Sequence, residues 1–356
     1  MMTIPIIPQN IISSYEVKFK QIPKIEIINN LFRYAEEEYN LILINIIANK
    51  NLLIEKYFLF KNGKFFKKVI CKKWIYTNRL SQEANKEQFI MLLDEIQNHI
   101  FIENSNIKYD SKILYYFFDN NQIGIFFEFL GDTLSKFNLS RVTIRNKIIM
   151  IIDLLEQCIT LHNHNIYHSD IKPINICVNL RNISNIPSEQ IIIHRLKLID
   201  YGIAYSEFEY MYNKTYDTTI SSASPEYLKI QLYDKKNDFP KELFDYSEHY
   251  AIAGIILGVF LNKPSFLFNI SCKLMLKHAD VTSYEYFDRC HMNDRFKCFT
   301  EEFSIELQNI ISDKIDSLDE SIFWIKPIIL NMLEYDYKNR KSLEDIKIFF
   351  EKFLEI

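Results

Sequence analysis

Between Ile166 and Asn179 the chain runs IYHSDIKPINICVN, setting His168, Asp170, Lys172 and Asn175 among apolar residues. Side chains of these kinds can take a proton from a hydroxyl, hold a hard cation through oxygen, or steady an anion. Three further clusters follow in order. LIDYG brings Asp200, SASPEYL brings Glu226, and YDYKNRKS brings Arg340 close to the C-terminus. Each is weak by itself. Asp170 and Asn175 are also ordinary turn formers, Asp200 could be a plain strand-end carboxylate, and a lone His168 more often packs than reacts.

Taken together and in this order, the four clusters resemble the protein-kinase family. That family carries H-R-D-x-K-x-x-N, then D-F-G, then A-P-E and a late Arg. The likeness spans about 40–350 of the 356 residues. It implies transfer of the γ-phosphate of ATP, with magnesium, to a protein hydroxyl. Asp170 then becomes the catalytic base, and Lys172 the cation that steadies the transferring phosphate. Asn175 and Asp200 become the magnesium ligands, and His168 a packing residue. Lys172 and the match of TISSASPE to T-x-x-Y-x-S-P-E, with Thr219 in the Thr position, imply the serine/threonine type. Glu226 and Arg340 resemble the family's buried ion pair, where losing one partner costs about 3–5 kcal/mol. EFLGDTL and DYG are similar to the casein kinase and vaccinia-related kinase group, a likeness that stops at the SPE segment.

The same resemblance asks the first part of the chain for a lysine on the ATP phosphates and a glutamate to hold it. VICK at 69–72 fits V-A-I-K and makes Lys72 the candidate. Lys73 competes, but strand alternation puts Ile70 and Lys72 on one face. Glu95, in EIQNHIFIENSNI, is the matching glutamate, with Glu87 and Asp94 as alternatives. FFEFLGDTL resembles the hinge, with Phe127 as gatekeeper and the backbone of Glu128–Leu130 facing adenine. Ile70 and Cys177 stand where the family has Ala above the purine and Leu below it. That swap implies a pocket shifted toward its floor, with a thiol within reach of inhibitors, although Cys177 taken alone reads as a small core residue.

Three features depart from the pattern. The six glycines, at 63, 124, 131, 202, 254 and 258, form no G-x-G. ANKN at 48–51 takes the place of the phosphate loop, where glycine would let backbone amides approach phosphates closely. Ser169 replaces the Arg that receives an activation-loop phosphate. Activity should therefore not depend on phosphorylation of Thr215, Thr218 or Ser221. Glu248 stands for the usual Asp at the start of EHYAIAGIIL, one methylene longer but still able to accept backbone hydrogen bonds.

The positioning elements show in the periodicity. LILINII, LLIEKYFLF and KFFKKVICKKW read as strands, the last two joined by a turn at Gly63. Apolar residues at 89, 92, 93, 96 and 100 predict a helix over 81–100. KILYYFF and QIGIFFEFL predict two more strands, and 141–164 a long helix. NICVN and LKLIDY read as short strands around an inserted loop at 180–194. Further helices fall near 249–261, 301–313, 321–334 and 342–354. The predicted class is α+β, a two-lobed kinase-like fold. It has an extension over 1–30, a small β-rich N-lobe over 31–130 and a larger, mainly helical C-lobe over 131–356, with ATP between the lobes.

Bulk properties narrow the partners. Lysine and arginine total 42 against 46 acidic residues, a net charge of −4, which gives nucleic acid no electrostatic foothold. YAIAGIILGVFL is too short to span a membrane, and the N-terminus lacks a signal-peptide pattern. Six cysteines without a CxxC pair imply neither a disulfide frame nor a zinc site. The expectation is a cytoplasmic protein, or one in a host cytosol, acting on protein serine or threonine. Two alternatives stay open: a pseudokinase scaffold binding a protein partner, and a small-molecule phosphotransferase of the aminoglycoside/choline kinase type.

Overall fold

The computed structural model describes residues 22–49, 52–76, 81–105, 107, 111–118, 122–183, 191–201, 204–206, 224, 241–278, 300–317 and 320–354. The chain is α+β and divides into two compact units. One is Met1–Leu130 with Asp200–Gly202; the other is Gly131–Ile199 with Ile203–Ile356.

The first unit is built on a six-stranded antiparallel sheet: β1 (Leu31–Tyr34), β2 (Glu37–Asn49), β3 (Leu52–Lys61), β4 (Lys64–Ile75), β5 (Ile113–Phe118) and β6 (Gln122–Glu128). Their order is β1-β2-β3-β4-β6-β5. Asn62 and Gly63, both at positive φ (48° and 76°), make the two-residue turn into β4. Alternation along β4 sends Val69 and Cys71 to one face and Trp74 to the other. Helix α1 (Gln82–Asn104) covers the Trp74 face with Phe89, Leu92, Leu93, Ile96 and Ile100. The opposite face packs Val69 and Cys71 with Tyr39, Leu41, Tyr57, Leu59, Phe117 and Phe126.

Two boundaries differ from the sequence expectation. Residues 22–30 are not an extension: Ile22 and Ile25 lie in the two cores, the Ile25 amide donates to the Tyr116 carbonyl of β5, and the Tyr116 amide donates to the Pro23 carbonyl. The short strand β1 also went unpredicted. Its inward Phe32 stacks on Tyr39 at 4.8 Å, a tertiary contact that four residues of local pattern do not announce.

The second unit begins at Gly131. At φ 120° a Cβ there would stand 2.1 Å from the Val178 carbonyl oxygen, so the position needs glycine. A three-stranded sheet follows, ordered β10-β9-β7, from β7 (Asp132–Thr133), β9 (Ile176–Ile183) and β10 (Ile191–Leu198). Strands β8 (Ile166–Tyr167) and β11 (Tyr205–Ser206) pair separately. The predicted loop at 180–194 is largely ladder, because β9 and β10 pair as far as Ile183↔Ile191. Only 184–190 of it lies outside the described residues.

Helix α2 (Ile144–His162) is capped by Thr143, whose hydroxyl accepts from the Asn146 amide. Next come α3 (Lys241–Asp245) and α4 (His249–Phe260), every residue of which is buried. The apolar run around 250–261 is thus a core helix. Helices α5 (Phe266–His278), α6 (Glu301–Asp316), α7 (Lys326–Met332) and α8 (Leu343–Lys352) complete the unit. The helix predicted over 321–334 is a 3-10 segment, Glu320–Ile325, followed by α7, with Pro327 at the start of the α-helical part. Helix α5 was not predicted. No helix among the described residues is long and apolar enough to cross a membrane.

Candidate functional site

The first unit brings Lys72, Glu95 and Asp200 together. Lys72 shares its face of β4 with Trp74, whose ring packs on Phe89 of α1 at 5.9 Å between centroids. Glu95 lies between Leu92 and Ile96 on the buried side of α1 and is 2% exposed. The Lys72 ammonium stands 2.7 Å from Glu95 Oε2 and 3.0 Å from Asp200 Oδ1. Burial by itself would lower the Lys72 pKa, but the Asp200 and Glu95 carboxylates outweigh it and hold the ammonium charged. Burial lifts Glu95 to about 7, against the pull of Lys72. Asp200 takes a left-handed backbone, φ 66°, which Asp tolerates better than most residues.

The competing lysine has a different place. Lys73 Nζ pairs with Glu55 at 2.9 Å on the opposite face, and Tyr57 donates to the same carboxylate at 2.7 Å. Nothing in the sequence tied Glu55 to Lys73; their alliance depends on the β3–β4 register, which sets Leu53 opposite Lys73. Of the alternatives to Glu95, Asp94 is only half-buried, and the Glu87 side chain lies outside the described residues.

Ile70 is half-buried and sits directly across from Phe127 in the β4–β6 ladder. Phe127 lies 5.3 Å from the His99 ring, and His99 the same distance from Tyr201. Asn98 donates to the Tyr201 carbonyl at 2.9 Å. These two α1 residues hold the segment after Asp200, a role the sequence did not signal. Glu128 is exposed and pairs with Lys67 at 3.0 Å, while Leu130 is half-buried.

The second unit gathers Asp170, Lys172 and Asn175. The loop after β8 turns at Ser169, φ 65°. The Ser169 amide donates to Glu248 Oε1 at 2.6 Å, and the other Glu248 oxygen meets His162 Nε2 at 2.8 Å. Glu248 therefore does accept a backbone hydrogen bond. Burial would raise its pKa, but His162, His168 and the Ser169 amide more than compensate and hold it below the usual carboxylate value. The His168 ring bonds the Ile199 carbonyl at 3.0 Å and takes the Asp170 amide at 3.3 Å, a packing and orienting role. Pro173 opens the 3-10 turn Pro173–Asn175. Asn175 Nδ2 donates to Asp170 at both Oδ2 (2.7 Å) and the main-chain oxygen (3.0 Å). Lys172 Nζ reaches the same Oδ2 at 2.6 Å.

Cys177 is a small core residue, and the reachable thiol implied by the resemblance is not there. It is 6% exposed on β9, opposite Thr133, and burial with the nearby Asp132 pushes its thiol up to about 12. It is a protonated core residue, not a thiol within reach of reagents. Arg340 is buried, donating to the Glu334 and Tyr246 carbonyls with its guanidinium 5.2 Å from the Tyr250 ring centre. Its expected partner Glu226 lies outside the described residues, as do Gly202, Thr215, Thr218, Thr219 and Ser221.

The donor set suits a hard cation. In the second unit, both Asn175 amide hydrogens go to Asp170, which leaves the Asn175 side-chain oxygen as a possible ligand. Among the described residues no group of three or more His, Cys, Asp or Glu side chains could hold a metal alone. A bound magnesium would have to draw on phosphate oxygens and water as well. Compared with family models and with curated proteins, the chain matches none of them.

Proposed function

We propose that the protein is an ATP- and magnesium-dependent serine/threonine protein kinase with a two-lobed, kinase-like fold. The main support is the Lys72 cluster, an ammonium held at 2.7 Å by Glu95 and at 3.0 Å by Asp200. Those residues come from three segments that the sequence motifs single out separately. Lys72 takes the α- and β-phosphates, and Glu95 orients it. Asp200 and Asn175 would hold magnesium, which would neutralise phosphate charge when bound. Asp170 accepts the proton of a protein serine or threonine hydroxyl as that oxygen bonds the γ-phosphorus and the bond to the bridging oxygen breaks, releasing ADP. Lys172, ion-paired to Asp170, keeps a cation beside the transferring group.

The decisive assay is transfer of labelled γ-phosphate from ATP to casein or histone. Asp170→Asn should cut turnover by about 100- to 10,000-fold. Transfer that survives the substitution would remove Asp170 from the reaction.

A nucleotide-binding scaffold is the second reading, and one observation favours it. Strands β2 and β3 pair as far as Asn49↔Leu53, and the sequence between them, where a phosphate loop would lie, holds no glycine. ATP binding without transfer to any protein would select this reading.

A further inference from the structure

Strand β10 is an edge strand. Its inner side pairs with β9, and the Leu196 carbonyl and Leu198 amide look outward. No strand covers that edge among the described residues. The carboxamide of Gln157 on α2 does. Its Nε2 donates to the Leu196 carbonyl at 2.8 Å, and its Oε1 accepts from the Leu198 amide at 3.0 Å. That is the donor–acceptor pair a neighbouring peptide unit would offer. The remaining Nε2 hydrogen goes to the Asp153 carbonyl at 2.9 Å, one turn earlier in α2, which fixes the amide plane. The Asp153 side chain is ion-paired with Arg195 on the same strand.

Immediately beyond, Ile199 is pinned on both sides. Its amide donates to the Asn175 carbonyl at 2.9 Å, and its carbonyl meets the His168 ring. The next residue is Asp200, with its left-handed backbone. We propose that Gln157 is a positioning residue for Asp200. By standing in for a missing strand, it fixes the end of β10 from which the metal ligand emerges. This rests on the kinase reading only in taking Asp200 as that ligand.

Two variants and two measurements test it. Gln157→Leu removes both strand bonds. Gln157→Glu keeps the acceptor for the Leu198 amide but faces the Leu196 carbonyl with a carboxylate, and it serves if Gln157→Leu does not fold. Amide hydrogen exchange is followed at Leu198 and at Ile199. A purely local bond would loosen Leu198 alone. The positioning role predicts exchange about tenfold faster at Ile199 too, in line with the loss of about one hydrogen bond. In the transfer assay, the magnesium concentration for half-maximal rate should rise about fivefold, with the KM for the protein acceptor unmoved. Unchanged exchange at Ile199, or magnesium dependence and acceptor KM shifting together, overturns the proposal. If the wild type transfers no phosphate, the kinase reading falls, and the Ile199 exchange alone decides the role of Gln157.

Discussion

Lys72 answers to two carboxylates of different character. Asp200 is partly exposed, whereas Glu95 is sealed under α1 and lifted to about 7 by burial. A buried carboxylate stripped of its cation has one inexpensive escape, which is to take a proton. The raised value means that Glu95 favours folding in its protonated form, and that this benefit is lost as pH rises through about 7. Lys72→Met should therefore cost little stability at pH 6 and about 2 kcal/mol or more at pH 8. Urea unfolding at the two pH values measures the difference, and equal losses would mean that Glu95 stays ionised throughout. His249 runs the other way. Burial first, then Arg340, lower it to about 3, and its Nε2 meets the Lys341 carbonyl. Its contribution is complete above pH 6.5 and fades as pH falls toward 3. Relative to wild type, His249→Gln should gain about 2 kcal/mol between pH 7.5 and pH 5, read from the same unfolding curves.

Elements were legible where one strong period governed them. The residues at 89, 92, 93, 96 and 100 pointed to α1, and the apolar run near 250 to α4, because both helices bury a pattern carried entirely within their own segment. The β9–β10 hairpin was misread as an inserted loop, since its ladder is satisfied by cross-strand partners that spacing does not reveal. Glycines divide by surroundings in the same way. Gly63 sits in an open hairpin turn with nothing within 4 Å of an added Cβ, while Gly131 would drive one into the Val178 carbonyl oxygen. Gly63→Ala should cost about 1–2 kcal/mol, the penalty of left-handed backbone alone. Gly131→Ala should cost about 3 kcal/mol or more, with β7 displaced from β9. Denaturant midpoints of the two variants compare them, and similar shifts would show that β9 yields readily at Val178.

At the scale of the whole molecule, the chain passes between its units at Leu130–Gly131 and again on either side of Asp200–Gly202. Asp200 belongs to the first unit and Asn175 to the second. Under the kinase reading, both are needed for the magnesium-dependent part of nucleotide binding. ATP with magnesium at 100 times Kd should raise stability by about 2.7 kcal/mol. In thermal unfolding, Asp200→Ala and Asn175→Ala should each abolish the increment that magnesium adds to ATP alone. Retention of that increment in either variant would take the residue out of the ligand set. The sequence by itself determined the α+β class, the residues able to do chemistry and their order, because residue type and local period are properties of the chain alone. Only the tertiary structure decided that Lys72 and not Lys73 meets Glu95, that Cys177 is sealed, and that Gln157 braces the strand before Asp200. Those outcomes depend on strand register, burial and contacts between residues tens of positions apart, which no local pattern encodes.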